Sequence, residues 1–436
     1  MNYEEAVGWL YGTQLHGIKL GLESMERLME GVRSTFDVRR SMFDVSARPA
    51  GTENIEPRTS NIEPRTGPAF IHVAGTNGKG SVCAMADAAC RAAGLRTGLY
   101  TSPHLVTFRE RLRLDGAMIS EAEVAAGLSE IRDVMAGWEH PPTFFEIVTV
   151  LALAWFQWRG AEVVILETGM GGRLDATNVV TPAVSVITPI GLDHQAWLGS
   201  TLAAIAAEKA GIFKPGVPAV SAPQSPEADV VLRAEAARVG APLRFVTEPL
   251  GDEWQVNLAG QHQRWNAALV RAALAAASLP VSAAALREGF TTVQWPGRFQ
   301  RIGERIVLDG AHNPHAAAQL AQTWREEFGD ARATLIFGAM RDKDVAGVLA
   351  ALRPIVERII AVPVQNARAC SPGELQALVR GVDAALPCAS CDGLASALER
   401  ADADPERILI AGSLFLIGEA LAHFDPATAG SERSEQ

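Results

Sequence analysis

Cysteine is scarce: five residues in 436, namely Cys83, Cys90, Cys370, Cys388 and Cys391. An odd, sparse set in a chain this long argues against a disulfide framework and for free thiols. Cys388 and Cys391 form a C-x-x-C pair, but a zinc site needs two more ligands at similar spacing and none stand nearby. Aromatic residues make up only 6% of the chain. Basic residues are outnumbered, 39 against 50 acidic, giving a net charge of −11. Such a chain gains nothing from counterion release, so no nucleic-acid partner is expected. Long apolar runs are missing too. The longest, Ile147 to Phe156, falls far short of the roughly 20 residues that span a bilayer, and it reads as a buried helix. Met1 to Leu10 carries Glu4 and Glu5 and no basic apolar leader. The expectation is a cytoplasmic protein with no signal peptide and no membrane partner.

What is present is a large apolar fraction, 48%, in a chain long enough for two or three domains. Residues 3 to 32 read as helical, broken near Gly17 and Gly21. Two short repeats follow. Phe36-Asp37-Val38 returns as Phe43-Asp44-Val45, and Asn54-Ile55-Glu56-Pro57-Arg58-Thr59 returns as Asn61-Ile62-Glu63-Pro64-Arg65-Thr66. Pro and Gly exclude a coiled coil, and so polar a stretch cannot repay its ordering entropy. Residues 34–66 are therefore expected to be a disordered surface insertion that activity does not need.

From Phe70 the pattern becomes strand, glycine-rich turn, helix. Phe70 to Val73, Val163 to Leu166 and Val184 to Ile187 are short apolar strands, with helices such as Ser81 to Ala93 and Thr201 to Ala210 between them. Alternation of this kind implies an α/β fold with a mostly parallel sheet covered on both faces. A second run has strands at Arg305 to Leu308, Ala333 to Phe337, Arg358 to Val362 and Arg407 to Ile410, with a helix at Pro314 to Glu327. Trp295-Pro296-Gly297 punctuates the two. The expected domains are 1–296 and 297–425, with a disordered tail at 426–436.

Gly75-Thr76-Asn77-Gly78-Lys79-Gly80-Ser81 follows a strand and opens a helix. That context makes a glycine-rich string a credible phosphate loop. Glycines let backbone N–H groups turn inward around phosphate oxygens, and the helix N-terminus adds positive potential. Lys79 can reach outer phosphates, and Ser81 can face a metal or a phosphate. The spacing departs from G-x-x-x-x-G-K-[ST], because Gly80 separates the lysine from the serine.

The segment His72 to Ser81 resembles the phosphate loop of the folylpolyglutamate synthases, members of the Mur ligase superfamily. Other motifs follow in family order. Ile18-Lys19-Leu20-Gly21-Leu22-Glu23 is similar to its folate-side segment, and Thr101-Ser102-Pro103-His104-Leu105 with Arg109-Glu110-Arg111 to its T-S-P-H-L…R-E-R segment. Phe144-Phe145-Glu146 resembles its metal-binding glutamate segment. Glu167 to Asn178 resembles E-x-G-x-G-G-R-L-D-A-T-N. Leu192-Asp193-His194, Glu208 to Ile212, His262-Gln263 with Asn266, Pro296-Gly297-Arg298, Asp309 to Pro314 and Gly412-Ser413-Leu414 complete the set. The resemblance runs from about residue 5 to residue 422, and the insertion is its one clear departure.

The resemblance implies a P-loop Mur-ligase-type ATPase domain followed by a smaller Rossmann-like α/β domain. It implies ATP-dependent addition of L-glutamate to a folate, and of glutamate to dihydropteroate in bifunctional members, through an acyl phosphate. Thr76, Asn77, Gly78, Lys79, Gly80 and Ser81 would cradle ATP, with Asn266, Arg298 and Asp309 completing its site. Ser102, Glu146, His194 and Lys209 would hold magnesium, two ions being expected. Lys209 would do so as a carbamate, since an amine cannot ligate this hard cation. Lys79, Lys209 and His312 would carry catalysis, and Ile18, Lys19 and Leu20 would face the folate. A monomer is expected, because the site closes within one chain. Alternatives are another Mur-type amide ligase or a P-loop NTPase without ligation.

Overall fold

The computed structural model describes residues 1–16, 21–39, 67–402 and 406–425. Ile18, Lys19 and Leu20 lie outside these residues, as do 40–66 of the expected insertion and the tail from 426. The first helices are Tyr3–Gly12 and Glu23–Arg39. The second carries helix past the expected limit at residue 32, so the first six residues of the expected disordered insertion are helical instead.

Eight strands make the first sheet: β1 (Ala69–Ala74), β2 (Thr97–Tyr100), β3 (Leu112–Leu114), β4 (Ala117–Met118), β5 (Val163–Glu167), β6 (Val184–Ile187), β7 (Ala219–Ser221) and β8 (Leu243–Phe245). Their order is β4-β3-β2-β5-β1-β6-β7-β8, parallel except at β2–β3 and β3–β4. Val, Ile and Leu fill β5 and β6, both buried along their whole length, as strands covered on both faces must be. The helix Lys79–Ala92 packs on one face, and Phe144–Trp158 packs on the other. The latter holds the longest apolar run, and it is a buried helix as its sequence implies.

The second sheet has β9 (Gln300–Ile302), β10 (Ile306–Leu308), β11 (Ala333–Phe337), β12 (Val356–Ala361), β13 (Cys388–Ser390) and β14 (Arg407–Ala411), in the order β13-β12-β11-β14-β10-β9. Only β9 runs antiparallel to its neighbour. The helices Pro314–Phe328 and Leu414–Phe424 cover opposite faces.

Ligands of open parallel sheets bind beyond the carboxyl ends of the strands, where the strand order reverses. Here β1 lies between β5 and β6. Residues just past β1, β2, β5 and β6 line one cleft of about 390 Å³ together with residues just past β10, β11 and β14. The carboxyl ends of both sheets thus open onto a common space. Among the described residues, no helix is long and apolar enough to cross a membrane.

Candidate active site

The phosphate loop links β1 to the helix Lys79–Ala92. Gly75 and Gly78 have φ of 148° and 88°, in the region where a side chain is strained. A Cβ at Gly75 would overlap Thr188 Oγ1, and one at Gly78 would lie 3.0 Å from Asn266 Oδ1. Backbone N–H groups of Thr76 and Asn77 donate to Pro189 O at 3.0 and 3.2 Å, holding the loop over the end of β6. Lys79 Nζ donates to Gly75 O and Thr76 O at 3.2 and 3.3 Å, curled over the loop it would serve. Ser81 is buried and its Oγ accepts from Gln263 Nε2, while Asn266 Nδ2 donates to Gln263 Oε1.

Lys209 lies in the last turn of the helix Leu202–Ala210 and is only 4% exposed. Its Nζ donates to Gly75 O at 2.8 Å. Burial, with Lys79 nearby, lowers its pKa to about 7 against the pull of Asp193 and Asp175. The loop Glu167 to Asn178 seats this helix. Arg173 N donates to Glu208 O, Asn178 Nδ2 bridges Arg173 O and Gly211 O, and a Cβ on Gly172 would press on Lys209 O. Asp175 braces the loop from inside, accepting from Met170 N and from the amide and hydroxyl of Thr177.

Glu146 does not reach the cleft. It is the third residue of the helix Phe144–Trp158, and its Oε2 accepts from the amide and hydroxyl of Thr143 at 2.7 and 2.8 Å. Thr143-x-x-Glu146 is a capping box, a pairing that satisfies orphan helix amides and commits the carboxylate locally. The metal role expected for Glu146 is therefore corrected. The glutamate that lines the cleft is Glu167, at the end of β5, whose Oε2 accepts from Ser102 N at 3.1 Å. Burial raises the Glu167 pKa, opposed chiefly by Lys79. Its signal was available in the sequence: it opens the E-x-G-x-G-G run directly after a strand.

Ser102 and His194 also line the cleft. His194 has φ of 51°, and burial lowers its pKa. Glu167 offers a buried carboxylate and Ser102 a hydroxyl, hard oxygens of the kind a divalent cation prefers. Thr168 Oγ1, also in the lining, is buried without a hydrogen-bond partner among the described residues.

From the second sheet come Asp309, which accepts from Phe299 N and Ala311 N at 2.9 and 2.8 Å, and Arg298, whose Nη1 donates to Gly297 O. Burial raises the Asp309 pKa, with Arg298 opposing. His312 Nδ1 lies 2.8 Å from Gly310 O, and burial lowers its pKa to about 4, so the ring is neutral near pH 7. Asn313 exchanges hydrogen bonds with Asn77 at 3.0 and 3.3 Å. Asp193 Oδ1 accepts from Lys343 Nζ at 2.6 Å. The sequence alone points to no role for Lys343, and to none for Asn313 or Asp193 beyond their places in motifs.

The two segments match two known domains. Residues 73–226 match the Mur ligase middle domain, and residues 297–414 the Mur ligase, glutamate ligase domain. The dihydrofolate synthase/folylpolyglutamate synthase of Bacillus subtilis (strain 168) is 35% identical over 82% of this chain and 84% of its own length. That of Escherichia coli (strain K12) is 35% identical over 84% of this chain and 89% of its own. The chain belongs to the dihydrofolate synthase/folylpolyglutamate synthase family.

The fold agrees along nearly the whole chain. E. coli FolC in complex with DHPP and ADP superposes with a TM-score of 0.82 at 32% identity, covering 97% of this chain and 98% of that one. The bifunctional synthase of Yersinia pestis, complexed with AMPPNP and a Mn ion, gives 0.80 at 30% identity over 97% and 98%. Family members are ligases that form carbon–nitrogen bonds, and the FolC relatives place the two sheets of this chain in one enzyme. The expected class, a P-loop ATPase domain joined to a smaller α/β domain, is the class observed.

Proposed function

We propose that this protein joins L-glutamate to a folate at the expense of ATP, with dihydropteroate as a second acceptor. The observation that carries the reading is the convergence of the phosphate loop, Glu167 and Lys209 with Arg298, Asp309 and His312 on one cleft. Amide formation from a carboxylate is uphill in water. ATP first phosphorylates the acceptor's carboxylate, and ADP leaves. The amino group of glutamate then attacks the acyl carbon, the carbon–nitrogen bond forms, and phosphate departs with the carbon–oxygen bond.

Phosphoryl transfer asks mainly for positioning and charge neutralisation. The loop amides from Gly78 to Ser81 and the Lys79 ammonium would bind the transferring phosphates. Thr76 and Asn77 shape that loop, and Asn266 seats Gly78. Arg298 and Asp309 would hold the nucleotide from the far side. Residues 1–296 and 297–425 act as two domains, and their closure keeps water from the acyl phosphate. His312, neutral at pH 7, is suited to receive the proton released by the attacking amine.

Magnesium, when bound, would neutralise phosphate charge. Glu167, Ser102 and His194 are the residues that would hold it, at two ions in our reading. Lys209 would contribute as a carbamate. An amine with a pKa of about 7 is partly unprotonated at neutral pH and can add to carbon dioxide, forming an N–C bond and releasing a proton. The carbamate nitrogen keeps its hydrogen for Gly75 O. Ile18, Lys19 and Leu20 would face the folate, and the protein would work as a monomer in the cytoplasm. The test is steady-state ADP formation by the purified protein: sustained turnover only when folate and glutamate are both present supports ligation, and sustained turnover without either supports a bare NTPase.

A further inference from the structure

The residues past the two sheets do more than share a cleft; a chain of polar contacts ties them together. Asp193 and Lys343 are 150 positions apart, yet their side chains meet at 2.6 Å and are only 11% and 14% exposed. The second Asp193 oxygen faces Asn313 Nδ2 at 3.4 Å and His312 Nε2 at 3.9 Å. Asn313 is itself fixed, because its Oδ1 caps the helix Pro314–Phe328 through Ala316 N. From that anchor it reaches Asn77 of the phosphate loop, and His315 Nδ1 lies 2.9 Å from Asn77 Nδ2.

We propose that Asp193 is a positioning residue that latches the two sheets together, holding Lys343 and Asn313 of the second against the phosphate loop of the first. Asp193 lies past β6 and Lys343 past β11, so their ion pair crosses the cleft itself. Asn313 extends the latch to Asn77. A phosphate loop tied this way has its position set from the opposite side of the cleft. The seam has an apolar side as well: Leu105, three residues past Ser102, packs against the core cluster that holds Leu416 and Ile417, and its carbonyl lies close over Gly418. Contacts at both ends of the seam fix an angle, where one contact would leave a swivel.

The experiment is small-angle X-ray scattering of the full chain without substrate, for wild type, Asp193→Asn, Lys343→Met and the exchanged pair Asp193→Lys with Lys343→Asp. Scattering requires no reaction, so it stands or falls separately from the ligase reading. The latch predicts a larger radius of gyration for each single variant and recovery toward wild type for the exchanged pair. It also predicts coupling in kcat/KM for ATP: each single loses about tenfold or more, and Asp193→Asn with Lys343→Met loses no more than the worse single. Circular dichroism checks that each variant is folded, and the two singles, one on each side of the cleft, test the same contact independently. Unchanged scattering in both singles overturns the proposal, and so do losses that multiply.

Discussion

Lys209 Nζ donates to the carbonyl oxygen of Gly75 at 2.8 Å, so the end of one helix is fixed to the first residue of the phosphate loop. The lysine is buried at the floor of the cleft, and its ammonium is destabilised there, chiefly by burial. A depressed lysine pKa has a definite sign in stability. Between about 7 and 10.5 the unfolded chain binds more protons at this position than the folded one. Stability from this group is therefore present above the unfolded value and is lost as pH falls through the folded value.

Replacing Lys209 by Met removes that penalty, so the variant gains most relative to wild type at pH 7. The expected outcome in carbon-dioxide-depleted buffer is a Tm difference, variant minus wild type, that shrinks as pH rises from 7 to 10. Thermal melts across that range measure it directly. A difference that grows with pH would mean the buried amine is not destabilised.

The two glutamates separate cleanly by substitution. Glu167→Gln is expected to lower kcat by at least about a hundredfold, the scale of removing one electrostatic contact from a catalytic centre. It should also raise the magnesium concentration needed for half-maximal rate. Glu146→Gln keeps the capping box and should retain near-normal kcat, whereas Glu146→Ala costs about 1 kcal/mol in stability. Steady-state kinetics with a magnesium titration decide between them, and a dead Glu146→Gln beside an active Glu167→Gln would reverse the assignment.

Gly418 offers a test far from the chemistry. A Cβ there would overlap the Leu105 carbonyl oxygen, pushing on the loop that carries Ser102. Small misplacements of catalytic loops are costly, so Gly418→Ala should lose about tenfold or more in kcat/KM. Its Tm should fall by only a few degrees, since the clash is at a seam rather than in a core. Full activity would show that the seam tolerates a shift.

Local features were legible in the sequence, and long-range ones were not. Gly75 to Ser81 was readable because strand, glycine turn and helix follow one another within a dozen residues. β1, β5 and β6 were readable as apolar runs buried on both faces. β3, β4, β8 and β13 are edge or near-edge strands of two or three residues, too short to carry a pattern. Glu146 misled because a glutamate before an apolar run has two meanings, and the Thr143 three residues earlier signals a cap. Asp193 with Lys343 was invisible for a different reason. No period links residues 150 positions apart, and only the facing of two sheet ends brings them together.

The most direct test of glutamyl ligation is product mass. Purified protein would be incubated with ATP, magnesium and glutamate, with dihydropteroate in one reaction and tetrahydrofolate in another. Ligation predicts a product heavier by one glutamyl unit in each, with ADP formed in equal amount. Folded protein that binds ATP yet adds glutamate to neither acceptor would contradict it.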